Sequence, residues 1–216
     1  RPEIWVRPGD VVQWALYYPP ILAALGGQAA QRPSGENAVF EQALALGARR
    51  AVQGALDVLD RIPQTERDAQ YHLYRSALLL SVGQVTEAHE DIDRAIAIDP
   101  QAGLSYALRA IINIVQNNKE AALADADHAV KLSPAETAPK IALSYAQQAH
   151  FRLDAARDTL LSATTSQPQD ALAWARLSEL WLMLGDRKRS RESADRAIAL
   201  APDLERAHVV RGFSYL

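Results

Sequence analysis

Histidine and acidic residues are the side chains in this sequence best suited to acid–base or metal chemistry. The five histidines occur singly, and none has a second ligand at the spacing that places two metal ligands on one helical face. Asp125, Asp127 and His128 form one group, but they alternate with alanines on the predicted solvated side of a helix. The sequence also has no Gly-x-Ser-x-Gly elbow and no glycine-rich phosphate loop. We therefore predict no enzyme activity, no metal site and no cofactor.

The basic residues at 187–191 begin a predicted helix, where cations oppose the helix dipole. We favour a solvated helix face there over an anion or nucleic-acid site. Trp174 and Trp181 lie seven residues apart on one helical face, which indicates core packing rather than a base-stacking platform. A net charge of -3 offers no basic field for phosphates, so we predict no nucleic-acid partner.

Composition places these residues in a helical protein of 216 residues. Abundant alanine favours closely packed helices and argues against a β-sandwich. The chain has no cysteine, which fits oxidising and reducing compartments alike. It has no apolar run of about 18 residues, so we predict no direct membrane insertion. Because it begins at Arg1 and ends at Leu216 within a helical pattern, we interpret it as part of a longer protein.

Four prolines, Pro100, Pro134, Pro168 and Pro202, recur every 34 residues and indicate stacked supersecondary units. Each unit is predicted to be a helix, a tight turn and a second helix that ends at the proline. Three aligned columns hold small residues, as two closely packed helices require. Position 8 holds Ser76, Ala110, Ser144, Ser178 and Gly212; position 20 holds Ala88, Ala122, Ala156 and Ser190; position 27 holds Ala95, Ala129, Ala163 and Ala197.

The turn between the two helices falls at position 15 of each unit. Gly83, Asn117 and Gly185 suit the left-handed conformation that closes a helix. Phe151 occupies the same position in the third unit, where a bulky side chain is costly at positive φ. We therefore expect the third turn to be rearranged.

The 34-residue period, with small residues at positions 8, 20 and 27 and proline at position 32, resembles the tetratricopeptide repeat (TPR) family over residues 69–216. The resemblance implies an all-α, right-handed α-solenoid of antiparallel helix pairs. We predict four full repeats at 69–102, 103–136, 137–170 and 171–204, and a truncated fifth from 205, within an array spanning 67–216. Residues 36–66 are predicted to be a degenerate capping helix pair, and residues 1–35 an extended N-terminal and linker segment. Departures from the family pattern include Arg75 and Arg109, where Leu is usual at position 7.

Position 7 also varies together with position 23 of the same unit. Arg75 and Arg109 accompany Asp91 and Asp125, whereas the two later units carry Leu with Thr or Ser. We predict that Arg75–Asp91 and Arg109–Asp125 are partly buried ion pairs between the helices of one unit.

In TPR proteins the first helices line a concave groove, and the resemblance places a mostly aliphatic lining here, with Gln148 and Glu179 among its polar positions. The predicted partner-binding residues are Leu73, Leu80, Leu104, Ile111, Ile114, Val115, Ile141, Tyr145 and Met183. An apolar surface of this extent is larger than soluble monomers usually expose. Its occupant is either a partner protein or peptide, or residues 4–22 of the chain itself, in cis or swapped between protomers. The docking residues of that segment are Trp5, Trp14, Tyr17 and Tyr18.

Two function hypotheses remain open. One is a non-catalytic scaffold that binds a protein or peptide through the groove; the alternative is a structural array whose groove holds its own N-terminal segment. The fifth unit lacks the second helix that would cover the apolar face around Val209, Val210 and Phe213. We therefore also predict a homodimer through this end of the solenoid. The segment 4–22 more weakly resembles the stretch that links FecR-like domains to TPR arrays in bacterial envelope proteins, which implies a periplasmic or envelope-associated parent.

Overall fold

The computed structural model describes residues 38–49 and 51–215, and within them the chain is entirely helical, without a strand. This confirms the all-α solenoid class. The helices are α1 (Ala38–Ala48), α2 (Val52–Leu59), a short 3-10 helix (Gln64–Glu66), α3 (Ala69–Ser81), α4 (Val85–Ile98), α5 (Gly103–Val115), α6 (Lys119–Leu132), α7 (Thr137–Ala149), α8 (Leu153–Ser166), α9 (Ala171–Met183), α10 (Arg187–Leu200) and α11 (Glu205–Phe213).

The helices pair in sequence order and each pair packs on its neighbours. From α3 to α9, each first helix contacts the second helix of its own unit and the second helix of the unit before it, and α11 contacts α10 and α9. Small residues make these contacts close, because the predicted small-residue columns are fully buried at the helix crossings, with the exception of Gly212 in the fifth unit, which is exposed. Among them are Ser76, Ala88, Ala95, Ala110, Ala122, Ala129, Ser144, Ala156, Ala163, Ser178, Ser190 and Ala197.

Local sequence signals fix where the first helices start. Asp68 caps α3 by accepting a hydrogen bond of 2.8 Å from the Tyr71 N–H. Asp170 caps α9 in the same way, through the N–H groups of Leu172 and Ala173 at 2.9 and 3.0 Å. A carboxylate at this position satisfies backbone donors that have no partner within the helix and also complements the helix dipole.

The turns within the four units share one geometry. In the third, the Phe151 N–H bonds the Gln148 carbonyl at 2.8 Å and the Arg152 N–H reaches the Gln147 carbonyl at 2.9 Å. This is the Schellman pattern that also closes the turns at Gly83, Asn117 and Gly185. The expected rearrangement of the third turn is therefore wrong. Phe151 adopts a φ of 58° and is 86% exposed, so its ring avoids collision by pointing into solvent.

Replacing Phe151 with glycine should stabilise the protein by about 1 kcal/mol, since left-handed backbone costs L-residues about 1–2 kcal/mol and glycine little. Urea unfolding followed by circular dichroism measures the change. Phe151→Ala is the matched control, because it removes the same ring but keeps Cβ. Equal stabilities of the glycine and alanine variants would show that the positive φ stores no strain.

The N-terminal pair α1 and α2 is joined to α3 through Tyr74. The ring of this buried tyrosine packs edge-on against Phe40 at 5.5 Å between centroids, and its hydroxyl donates to the Ala43 carbonyl at 3.1 Å. A Cβ added to Gly47 would collide with the Tyr74 hydroxyl, so glycine permits this close approach. Burial raises the pKa of Tyr74 to about 12, which keeps the hydroxyl protonated as a donor.

Both predicted ion pairs within units are confirmed. Arg109 binds Asp125 through two parallel hydrogen bonds of 2.7 and 2.8 Å, and Arg75 binds Asp91 through a short contact from Nη1. Asn113 adds a third hydrogen bond of 3.0 Å to Asp125. The expectation that Asp125 lies on a solvated helix side is therefore wrong, because its side chain is only 13% exposed. The carboxylate is partly buried because a guanidinium on the partner helix compensates its charge.

A double-mutant cycle at this pair should reveal coupling. Arg109→Leu leaves the Asp125 carboxylate partly buried without its cation, and we expect a loss of about 2–3 kcal/mol in the free energy of unfolding. The double variant Arg109→Leu/Asp125→Thr reproduces the Leu143 and Thr159 combination of the third unit and should lose about 1 kcal/mol. Denaturant unfolding measures all variants, including Asp125→Thr alone. Additive losses would contradict the coupling.

Among the helices of residues 38–49 and 51–215, none combines the length and the apolar character that crossing a bilayer requires.

Candidate partner-binding surface

The inner surface is the name used here for the nine predicted groove residues of α3, α5, α7 and α9. Five of them are buried, three are partly buried and Met183 is 42% exposed. The buried members are Leu73, Leu104, Ile111, Ile141 and Tyr145, and the partly buried members are Leu80, Ile114 and Val115. The structure brings these eight into one continuous apolar cluster, whereas Met183 lies outside it.

The aliphatic character of this surface follows from the first helices themselves. The sequence of α5, GLSYALRAIINIV, is apolar around most of the helix circumference. Two of its faces can therefore pack against neighbouring helices. Ile111 and Ile112 are both fully buried, while Ile114 and Val115 pack at the margin of the cluster. Side chains at the margin are the ones that another molecule can reach.

The inner surface becomes polar where α7, α9 and α11 meet. The Arg176 guanidinium stacks on the Tyr145 ring at 3.7 Å from its centroid and donates to Glu179 at 2.7 Å and to the Ser144 hydroxyl at 3.1 Å. Arg206 of α11 binds the other Glu179 oxygen. Arg176 is only 3% exposed, so this arrangement is a buried polar cluster rather than a surface contact.

Burial and the neighbouring charges both shift the pKa values of Tyr145 and Arg206 in this polar cluster. Burial raises the pKa of the Tyr145 hydroxyl, and the nearby Glu179 carboxylate raises it further against the opposing effect of the two arginines. Burial alone lowers the pKa of Arg206, but Tyr145 and Glu179 together raise it above its ordinary value. The cluster therefore holds a neutral tyrosine between permanent cations and one carboxylate, and its polar groups bond one another within the fold.

Sequence reasoning identified part of this cluster. Tyr145, Gln148 and Glu179 were expected on the groove, and Arg176 Nη2 donates to the Gln148 amide oxygen. Arg176 and Arg206 were missed. Arg206 falls at position 2 of the fifth unit, a groove position by the family pattern, so extending the alignment by one unit would have found it. Arg176 falls at position 6, which carries no such signal.

His72 and Asp91 are the pair that most resembles acid–base machinery, with 3.0 Å between Nδ1 and the carboxylate. Both are buried, and Asp91 also binds Arg75 and Arg94, so the pair ties α3 to α4. His128 packs on the ring of Tyr106 at 4.5 Å between centroids. Within the described residues, no group of three or more His, Asp or Glu side chains is placed to hold a metal ion.

The predicted docking residues Trp5, Trp14, Tyr17 and Tyr18 lie outside the described residues, as does the whole segment 4–22. At the opposite end of the chain, Val209 and Phe213 are each 56% exposed, whereas Val210 is buried. Homodimerisation through either end therefore stays a prediction.

Similarity to solved structures identifies the architecture as a TPR-like solenoid. The chain resembles a thermophilic TPR protein of Thermus thermophilus, with 17% identity over 84% of this chain and 99% of that one and a TM-score of 0.76. It is also similar to the APC/C hetero-tetramer Cut9–Hcn1, with 14% identity over 96% of this chain and 42% of that chain, at a TM-score of 0.65.

A third similar structure is YrrB, described as a TPR protein with an unusual peptide-binding site. It has 17% identity over 88% of this chain and 99% of its own, at a TM-score of 0.52. These identities establish the fold alone. No protein-family model matches the sequence, and no curated protein matches it. Nothing in these comparisons supports the weaker FecR-like resemblance.

Proposed function

We propose that this chain is a non-catalytic scaffold that binds a peptide or partner protein through the inner surface. The observation that supports the proposal is the partial exposure of apolar side chains on the first helices α3, α5 and α9, namely Leu80, Ile114, Val115 and Met183. Stacked repeats of this kind offer an extended surface rather than a single pocket, which suits an elongated partner. The solved TPR structures of the same fold support this class of function, and YrrB is described as having a peptide-binding site.

The reachable side chains define the chemistry of the partner. Leu80, Ile114, Val115 and Met183 are aliphatic or thioether groups that are partly or largely exposed. Methionine is flexible and polarisable, and it adapts to differently shaped apolar partners. The partner segment should therefore carry apolar side chains that pack on these four residues.

A peptide-display selection on the immobilised full-length chain tests this proposal. Selected peptides should bind the wild type in a fluorescence anisotropy titration. Val115→Lys and Met183→Lys should each weaken binding by about tenfold, because each places a charge against the apolar partner. The matched control is Ile98→Lys, which changes a 53% exposed residue on a second helix.

Selected peptides that bind all three variants as tightly as the wild type would place partner binding elsewhere. Failure to select any peptide would favour the second candidate function, described next.

The second candidate is a structural array in which residues 4–22 of the chain fill the inner surface. The observation in its favour is the same partial exposure of Leu80, Ile114, Val115 and Met183, which a segment of the chain itself would shield from water. The tryptophans and tyrosines of the segment supply large apolar areas of the kind that pack well on aliphatic surfaces.

Engineered cysteine pairs test this candidate directly in the full chain, which has no cysteine of its own. Tyr18→Cys combined in turn with Leu80→Cys, Val115→Cys or Met183→Cys should form a disulfide with at least one partner under mild oxidation. A bridge requires Cα atoms about 4.4–6.8 Å apart. Non-reducing electrophoresis separates a cis link, which leaves a monomer, from a swapped link, which gives a dimer.

Tyr18→Cys with Ile98→Cys is the control pair and should remain unlinked. If no inner-surface pair crosslinks more than this control, the segment does not occupy the surface and the receptor function is favoured.

A further inference from the structure

A ladder of ion pairs joins successive units on the outer side of the solenoid. Arginine at position 7 of one unit reaches an aspartate from the unit before it. The pairs are Arg75 with Asp60 at 3.5 Å, Arg109 with Asp93 at 3.1 Å and Arg211 with Asp195 at 2.6 Å. These contacts close the outer seam between neighbouring second helices with charged side chains.

At the boundary between the third and fourth units both members of this pair are leucine. Leu177 stands at position 7, and Leu161 stands where the other second helices carry aspartate. Trp181 replaces the asparagine that supports the ion pair in the second unit. Two tryptophans and two leucines therefore line an opening where three other boundaries carry an ion pair. The boundary between the second and third units, with Leu143 at position 7, has no such ion pair among the described residues.

The outer cleft is the name used here for this opening, which has a volume of about 640 Å³. Its lining includes Leu161, Trp174, Leu177, Trp181, Arg189 and Arg196. Ligand pockets commonly have volumes of about 300–1,000 Å³. The expectation that the tryptophans pack in the core is confirmed, but both also contribute to this cleft. Leu161 is 38% exposed at its edge.

Positive charge surrounds the outer cleft. The helix α10 carries five basic and two acidic residues, whereas the whole chain has a net charge of -3. In the described part of the chain, Arg187, Lys188 and Arg196 make no ion pair and are exposed. Of the charged residues that line the cleft, Arg196 is the exposed cation without an ion pair, Arg189 contacts Asp186 at 3.5 Å, and Glu192 is acidic.

We propose that the outer cleft binds an acidic peptide segment that inserts one bulky apolar side chain. The apolar side chain packs on Leu161, Trp174 and Leu177, and flanking carboxylates meet Arg196 and Arg189, the second of which also contacts Asp186 at 3.5 Å. Charged groups around an apolar anchor give orientation and specificity in such contacts. This site combines the second helices α8 and α10 with α9, shares no lining residue with the inner surface, and so goes beyond the function proposed above.

The arrangement favours a peptide over a nucleic acid. The guanidinium groups of Arg157 and Arg189 lie 5.5 and 4.8 Å from the centroid of the Trp181 ring, so they occupy the surface on which a base would stack. Glu192 in the lining and Asp195 beside it on α10 would repel a continuous row of phosphates. Discrete carboxylates on a short peptide avoid these positions.

The probe is a fluorescein-labelled peptide with one Phe flanked on both sides by Asp and Glu, titrated against the full chain by fluorescence anisotropy. Leu161→Glu should weaken binding by about tenfold, because it places a carboxylate on the apolar floor, and Arg196→Glu by about fivefold. The controls Ile98→Glu and Arg61→Glu change exposed residues of the first unit and the N-terminal pair and should alter affinity by less than about twofold. Met183→Lys should also have no effect.

Peptide variants keep the test decisive even if Leu161→Glu disturbs folding, which circular dichroism would detect. Replacing the central Phe by Ala, or the Asp and Glu residues by Asn and Gln, should each abolish measurable binding. Absence of wild-type binding, equal losses in the control proteins, or equal binding of the neutral peptide would overturn the proposal. Displacement of the peptide by oligothymidylate with higher affinity would also overturn it and assign the cleft to nucleic acid.

Discussion

Close contact between small side chains is the constraint on which the rest of this structure depends. Wherever two helices cross, a fully buried alanine or serine allows the backbones to approach, and these positions recur with the 34-residue period. A larger side chain at Ala95 or Ala129 would separate a helix pair and displace every unit stacked on it. The inner surface and the outer cleft exist because these crossings hold successive first and second helices in register.

Electrostatics then distinguish one unit from another. Arg75 and Arg109 each bind a carboxylate of their own unit and one of the preceding unit, so a single side chain joins three helices. The third and fourth units use leucine at the same position and depend on apolar packing instead. The repeat thus keeps its geometry while the chemistry of its seam changes along the chain, which is how one architecture offers different surfaces.

The sequence allowed prediction of those features that repeat. Periodic prolines and small residues predicted the helical solenoid, and covariation of positions 7 and 23 predicted ion pairs that the structure confirms. Phe151 was misjudged, because the surrounding hydrogen bonds impose the left-handed turn and solvent accommodates the ring. The polar cluster around Arg176 and the outer cleft depend on contacts between different units, which no single-unit pattern encodes.

The interrupted ladder has a consequence for how the array responds to its medium. Each ion pair of the ladder includes an aspartate whose side chain is at least half exposed, so added salt screens it. The boundary between the third and fourth units, held by Leu161, Leu177 and Trp181, is insensitive to such screening and is strengthened by salts that favour apolar burial. Rising ionic strength would therefore soften the ends of the solenoid while its middle stays rigid.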